Sequence, residues 1–205
     1  MPQRTRDPAR KVKILEAAAT LLASNGFHSV SMADIGERAG ITGSGIYRHF
    51  DSKSAILVEL FEQVIDDLLE EGRDIVERTS DLDTALALLI EGQVDLVVGK
   101  RQLAQVYHSE INNLPQENQV RLRRKQRLYI QEWVHVLREI DPSLDEAFTR
   151  TLASTAIGAI QSALFHQIVI PDDELRGILR QSAKSIVLLR RDALAGEQAV
   201  ASATA

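Results

Sequence analysis

Apolar residues recur at helical spacing along almost the whole chain, and the alternation of a half-buried strand is nearly absent. Over residues 8–24, Ile14, Ala18, Leu21 and Leu22 share one face, and Asn25-Gly26 stops the helix. Phe27 and Val30 are expected to pack in the connection. The stretch SMADIGERAGITGSGIYRHFDSK, residues 31–53, then reads as two short helices and the start of a third. The first runs over 32–39, with Ser31 as N-cap and Asp34 three residues on. Gly40 ends it, because glycine tolerates the left-handed backbone of a sharp helix stop. The second is expected over about 43–50. Ser52 caps a long helix to about residue 78, with Ile56, Leu57, Leu60, Phe61, Val64, Leu68 and Ile75 apolar. Asp81 caps the next, to about residue 98, and a segment over 101–112 follows. Pro115 starts a helix to about residue 140. Asp141-Pro142 then reads as an N-cap with proline at the first helical position, opening a helix to about residue 168. Pro171-Asp172-Asp173 opens the last, to about residue 194, and the small, polar tail GEQAVASATA is expected to fray. The total is an all-α fold of about nine helices without internal repeats.

Two short helices joined by a glycine-containing turn match the helix-turn-helix reader of DNA. The net charge of −5 over 205 residues seems at odds with that, but its distribution does not. Residues 1–55 hold eight Lys or Arg against five acids, a net of +3, and the remainder carries −8. A small basic head that can approach phosphates sits on an acidic body that stays off the duplex. The chain has no cysteine, hence no disulfide framework and no thiolate metal site, and neither metal nor cofactor is expected. The basic start MPQRTRDPARK lacks an apolar signal region, and runs such as 85–90 are too short to cross a bilayer. A cytoplasmic, non-membrane protein is therefore expected. Enzyme signatures are missing: His108-Ser109-Glu110 resembles a deaminase motif without its paired cysteines, and no G-x-S-x-G, Walker loop or H-E-x-x-H occurs.

The pattern Ile35, Ala39, Gly40, Ser44, Gly45, Ile46, Tyr47, His49, Phe50, Ser52, Lys53, Ile56, Leu57 resembles the TetR family of one-component transcriptional regulators. The resemblance covers roughly residues 8–57, and its specific core is Tyr47-x-His49-Phe50 followed by Ser52-Lys53. It implies a homodimer whose second helix-turn-helix element enters the major groove of a double-stranded DNA operator. On that match Thr42, Gly43, Ser44 and Gly45 present the helix N-terminus to DNA. Tyr47 and His49 hold phosphates, and Lys53 and Ser31 add phosphate contacts. Arg48 is the long side chain able to fork onto guanine, and Arg4 and Arg6 form an arm for the minor groove. Ile35, Ile46 and Phe50 read as core, Tyr47 as half core and half contact, and Arg10 and Arg38 as solvated surface. Gly36 stands where the family usually has alanine, which allows a closer helix crossing. Gly43 and Gly45 each cost on the order of 1 kcal/mol in a helix.

The expected division is a reader over 1–50, with 1–8 as a basic arm, an effector-binding and dimerising part over 51–195, and a tail over 196–205. Ala153, Ala156, Gly158, Ala159 and Ala163 permit close helix approach, and with the last helix they suggest the dimer interface. Candidate effector contacts are polar or aromatic residues on apolar faces: Tyr107, His108, Glu110, Arg124, Tyr129, Trp133, Gln161 and Phe165, with His166 beside them. The plain alternative is that Trp133 is core and the histidines are structural or surface. The run Arg121, Arg123, Arg124, Lys125, Arg127 is either a solvated face or the mouth of a site for an anionic amphipathic effector such as an acyl-CoA or another lipid-like ligand. The reading that follows is a repressor released from its palindromic operator by a small molecule. An activator, or a small-molecule-binding helical dimer without DNA binding, are the alternatives.

Overall fold

The computed structural model describes residues 8–41 and 43–189. Among them nine α-helices follow one another: α1 (Pro8–Asn25), α2 (Met32–Arg38), α3 (Gly43–Ile46), α4 (Lys53–Arg78), α5 (Leu82–Gly99), α6 (Arg101–Glu110), α7 (Gln116–Ile140), α8 (Glu146–Gln161) and α9 (Asp172–Val187). Short 3-10 turns at Ile111–Asn113 and Ser162–Leu164 extend α6 and α8, and no strand occurs among the described residues. The all-α expectation of about nine helices holds. No helix of the described residues is long and apolar enough to cross a membrane. The chain divides into two compact units, Met1–Leu69 with Lys100–Arg127 and Glu70–Gly99 with Leu128–Ala205. Helices α4 and α7 each contribute residues to both.

The first unit packs the helix-turn-helix around one apolar cluster. Ile14, Ala18 and Leu22 recur at four-residue spacing along α1 and are fully buried with Ile35, Ile46, Ile56 and Leu57. Val106, Ile111, Leu114 and Leu122, from α6, the turn after it and α7, complete the same cluster. The expected core roles of Ile35, Ile46 and Phe50 are met. Helix α2 ends as its glycine predicts. Gly40 takes φ +68°, its N–H donates to the Glu37 carbonyl, and the Ile41 N–H donates to the Gly36 carbonyl at 2.8 Å. Gly36 is buried beneath this stop, and a Cβ there would lie 3.1 Å from the Ile41 oxygen. Its lack of a side chain lets the turn fold back onto α2.

Two boundaries depart from the sequence reading. Helix α3 is a single turn, Gly43–Ile46, rather than a helix to residue 50. Beyond it the chain tightens into i→i+3 bonds, from Arg48 N to Gly45 O at 3.2 Å and from His49 N to Ile46 O at 2.9 Å. Two glycines in so short a segment leave too little propensity to extend the helix. The second departure is the start of α8. Asp141 does not cap it. The Asp141 carboxylate accepts from the Ser143 N–H and hydroxyl at 3.1 and 2.6 Å, which closes a local turn. Asp145, extended at ψ 159°, accepts from Phe148 N at 2.8 Å and is the N-cap. The helix ends at Gln161 and its 3-10 extension at Leu164, short of residue 168. The expected caps Ser52 and Asp81 are present, accepting from Ala55 N at 3.1 Å and Thr84 N at 2.9 Å. The stretch 190–194, expected to finish the last helix, lies outside the described residues, as does the tail.

In the second unit, α8 and α9 pack on each other and α5 packs on both. Ala153, Ala156 and Ala183 are fully buried, so small residues bring α8 and α9 together within one protomer. Ion pairs from Arg176 to Asp95 and from Arg180 to Glu91 (2.9 Å) join α9 to α5 at the surface. Each such pair contributes roughly 0–1 kcal/mol. Replacing Asp145 with alanine is expected to cost about 1 kcal/mol of stability in urea unfolding, and Asp141→Ala clearly less. Equal costs would return the cap to Asp141.

Candidate nucleic-acid interface and effector residues

The reader is organised from the N-terminus of α2. The Ser31 hydroxyl accepts from Asp34 N at 3.2 Å, and Asp34 accepts from the Ser31 N–H at 2.7 Å, a complete capping box. The Ser31 backbone and side-chain hydrogen bonds, aided by the Lys53 charge, hold the Asp34 carboxyl below its usual range. A depressed carboxylate pKa gives stability present at neutral pH and lost only as pH falls through that lowered value. The box is therefore intact at neutral pH.

Lys53 does more than project from the start of α4. Its ammonium donates to the main-chain carbonyl of Phe27 and to that of Val30, the latter at 2.6 Å. It also sits 4.2 Å from the centroid of the Phe27 ring. An ammonium has three N–H groups, so one remains for a phosphate. His28, on the same loop, approaches the buried Glu110 at 3.8 Å, and Glu110 also accepts from Asn113 at 3.2 Å. The loop between α1 and α2 is thus gripped from α4 on one side and from the end of α6 on the other. Composition and spacing gave no sign of this, because the partners lie 23 and 26 residues from Lys53 in the chain.

Beyond α3, Tyr47 is 57% exposed and Arg48 is exposed, with no partner for its guanidinium among the described residues. His49 is half-buried, with Nδ1 enclosed and unpaired, which leaves Nε2 for an outside partner. Gly43 and Ser44 lie in α3, and Gly45 is half-buried there. Thr42, Arg4 and Arg6 lie outside the described residues.

The effector candidates divide between the units. In the first, the Tyr107 ring meets Phe61 edge-on at 4.7 Å, and burial pushes its hydroxyl up to about 12. His108 is half-buried, and burial lowers its pKa, so it is neutral at pH 7. Glu110 faces the α1–α2 loop. Of the basic run, Arg121 pairs with Glu62, Lys125 with Asp66 at 2.7 Å, and Arg123 with Asn112 at 2.8 Å. Arg124 and Arg127 are exposed, three residues apart on one face of α7, and have no partner among the described residues. In the second unit Tyr129 and Trp133 lie together in the core, 6.3 Å between ring centroids, whereas Gln161 is half-buried and Phe165 is 64% exposed. Two further residues were overlooked. Gln93 is a lone amide in the apolar helix α5 and is 1% exposed, and Gly72 lies mid-helix against Tyr129. A polar residue in an apolar helix and a glycine in a helix interior are both signals a sequence offers.

Residues 14–60 match the sequence profile of the bacterial regulatory proteins of the tetR family. The likeness to this family is carried by that N-terminal segment. The transcriptional repressor KstR2 of Rhodococcus jostii is 30% identical over 105 residues, 51% of this chain and 52% of that one. The fatty acid metabolism regulator protein of Bacillus subtilis is 26% identical over 126 residues, 62% and 63% of the two chains. The matched part thus spans about half to two thirds of these relatives. The structure of FadR from Bacillus subtilis in complex with stearoyl-CoA superposes with a TM-score of 0.70 at 22% identity, over 86% of this chain and 97% of that one, a likeness of fold. Lys53→Met is expected to weaken binding to every DNA sequence alike and to lower the salt slope by about 1. It should also lower stability by roughly 1–3 kcal/mol through the two released carbonyls. A stability loss with an unchanged salt slope would restrict Lys53 to holding the loop.

Proposed function

We propose that this protein is a dimeric transcriptional repressor that leaves its palindromic operator when an acyl-CoA or similar amphipathic effector binds. The observation that carries the reading is the reader itself: the capped α2, the glycine stop, the exposed Tyr47 and Arg48 and the half-buried Lys53 lie on one buried framework, in a segment that matches the tetR profile. Residues 1–50 are the reader, with Ser31, Thr42, Gly43, Ser44, Gly45, Tyr47, His49 and Lys53 positioning it on phosphates and the groove edge. Arg48 reads a base, and Arg4 and Arg6 serve as the minor-groove arm. Residues 51–195 bind the effector and dimerise. The protein acts in the cytoplasm and is not an enzyme.

Dimerisation through α8 and α9 is supported by their outward faces. Gly158 and Gly177 face open space, and Ile178, next to Gly177, is 54% exposed. Small outward residues let a second copy approach closely, and a two-fold pair sets the readers about 34 Å apart, one turn of B-DNA. The effector class is supported by Arg124 and Arg127, two unpaired cations suited to the phosphates of coenzyme A. The stearoyl-CoA in the Bacillus subtilis FadR structure supports the same class. The effector acts by favouring one of two positions of α4 through its differential affinity. That shift moves the two readers off the one-turn spacing.

A gel shift with the DNA upstream of the gene tests the reading. Salt-sensitive binding that long-chain acyl-CoA abolishes is expected, and no binding to any accessible sequence would end the regulator reading. Arg48→Ala should relax preference at one base position by roughly 1–3 kcal/mol. Ile178→Glu should yield monomers in sedimentation and lose operator binding while remaining helical.

A further inference from the structure

An open groove of about 370 Å³ runs between α1 and α2 in the first unit. Lys13, Glu16, Ala17 and Thr20 line it from α1, and Arg38 and Ala39 line it from the end of α2. The short side chains at positions 17 and 39 keep it open. Lys13, Glu16 and Arg38 are exposed, and none of the three has a hydrogen bond or ion pair among the described residues. The Thr20 hydroxyl donates to the Glu16 carbonyl at 2.9 Å, so its one proton is taken. The charged groups therefore decide what enters: two cations and one carboxylate, a surplus of one positive charge. A cation in the last turn of a helix is favoured by the carbonyls there, which accounts for Arg38 alone. It does not account for Lys13 on the other wall.

The place of the groove along the chain points to its occupant. In B-DNA a phosphodiester strand separates each minor groove from the adjacent major groove. A reader with Arg4 and Arg6 in one and α3 in the other must straddle that strand. Helix α1 follows the arm directly, and Lys13 lies about 8 Å along its axis from Pro8. Helix α2 leads into α3, and Arg38 stands at its last position before the turn. The two cations thus lie on the stretch of fold that joins the minor-groove arm to the major-groove helix. A phosphodiester brings one negative charge per phosphate, equal to the surplus in the groove. An anion of higher charge meets the Glu16 carboxylate without compensation.

We propose that Lys13 and Arg38 hold a backbone phosphate of the strand between the two grooves, and that Glu16 weakens this hold. This rests on the DNA-binding reading and adds to it an anchor that reads no base. Arg38, expected from the sequence to be solvated surface, then acts with α1 rather than with the recognition turn.

The test uses the full chain, a labelled duplex of the DNA upstream of its gene and a random-sequence duplex of equal length. Binding is followed by fluorescence anisotropy over a range of salt. The double variant Lys13→Gln/Arg38→Gln should lower the salt slope by about 1 and the affinity by about three- to tenfold at about 0.1 M salt. The loss should be equal on both duplexes. Glu16→Gln should tighten binding to both, a gain that misfolding cannot produce. Glu37→Gln, which removes the same charge from the exposed face of α2 outside the groove, should gain less. In a series of upstream duplexes with one neutral methylphosphonate at a time, one linkage should weaken wild type and leave the double variant unaffected. An unchanged salt slope in the double variant, a loss that depends on base sequence, no gain from Glu16→Gln, or no such linkage would each overturn the proposal while wild type remained a DNA binder. Absence of salt-sensitive binding by wild type to either duplex would instead remove the DNA-binding reading, and the proposal with it.

Discussion

The grip of the Lys53 ammonium on two main-chain carbonyls is the constraint on which the reader depends. Phe27 and Val30 lie four residues and one residue before Ser31, the N-cap of α2, and Lys53 is the first residue of α4. A carbonyl moves only with its backbone, so one side chain ties the start of the longest helix to the start of the helix-turn-helix. The Phe27 ring beneath the ammonium limits its freedom further. Because Glu110 lies 3.8 Å from His28 of the same loop, a displacement of either α4 or α6 acts on the one segment between α1 and α2. The charge and the donors of one lysine serve packing and geometry together.

The two units treat polar groups in opposite ways. The reader completes its main-chain bonding at each break. Ser31 and Asp34 close the front of α2, Gly40 closes its end, and Ser52 opens α4. The second unit leaves an indole, a phenol and an amide unpaired in its interior. A segment whose breaks are all closed by hydrogen bonds is held in one shape.

Much of this was legible from local chemistry. The Ser31–Asp34 box, the Gly40 stop and the Ser52 and Asp81 caps follow from residues within four positions of one another. The helix content followed from apolar spacing alone, and the core alternative for Trp133 is the one its full burial meets. The failures have one physical origin. Asp141 and Asp145 are both aspartates that can hold an N–H two or three residues on, and only the packing of the chain decides which becomes a turn and which a cap. Lys53, likewise, finds its carbonyls far away in sequence, where no spacing rule reaches. Phe165 shows the limit from the other side: an aromatic near an apolar helix is 64% exposed, because the 3-10 turn after α8 carries it outward.

The single turn of α3 has a consequence for the heat of DNA recognition. Its glycines keep the segment after Ile41 rich in conformational freedom, and the chain leaves helical geometry just where Tyr47 and Arg48 begin. On the proposed DNA-binding reading, docking in a major groove completes folding as well as making contacts. Association of this kind carries a larger negative heat capacity change than the contact area alone supplies, and an entropic cost that grows on warming. The affinity proposed for this reader would then be set partly by temperature, through four residues that are barely a helix.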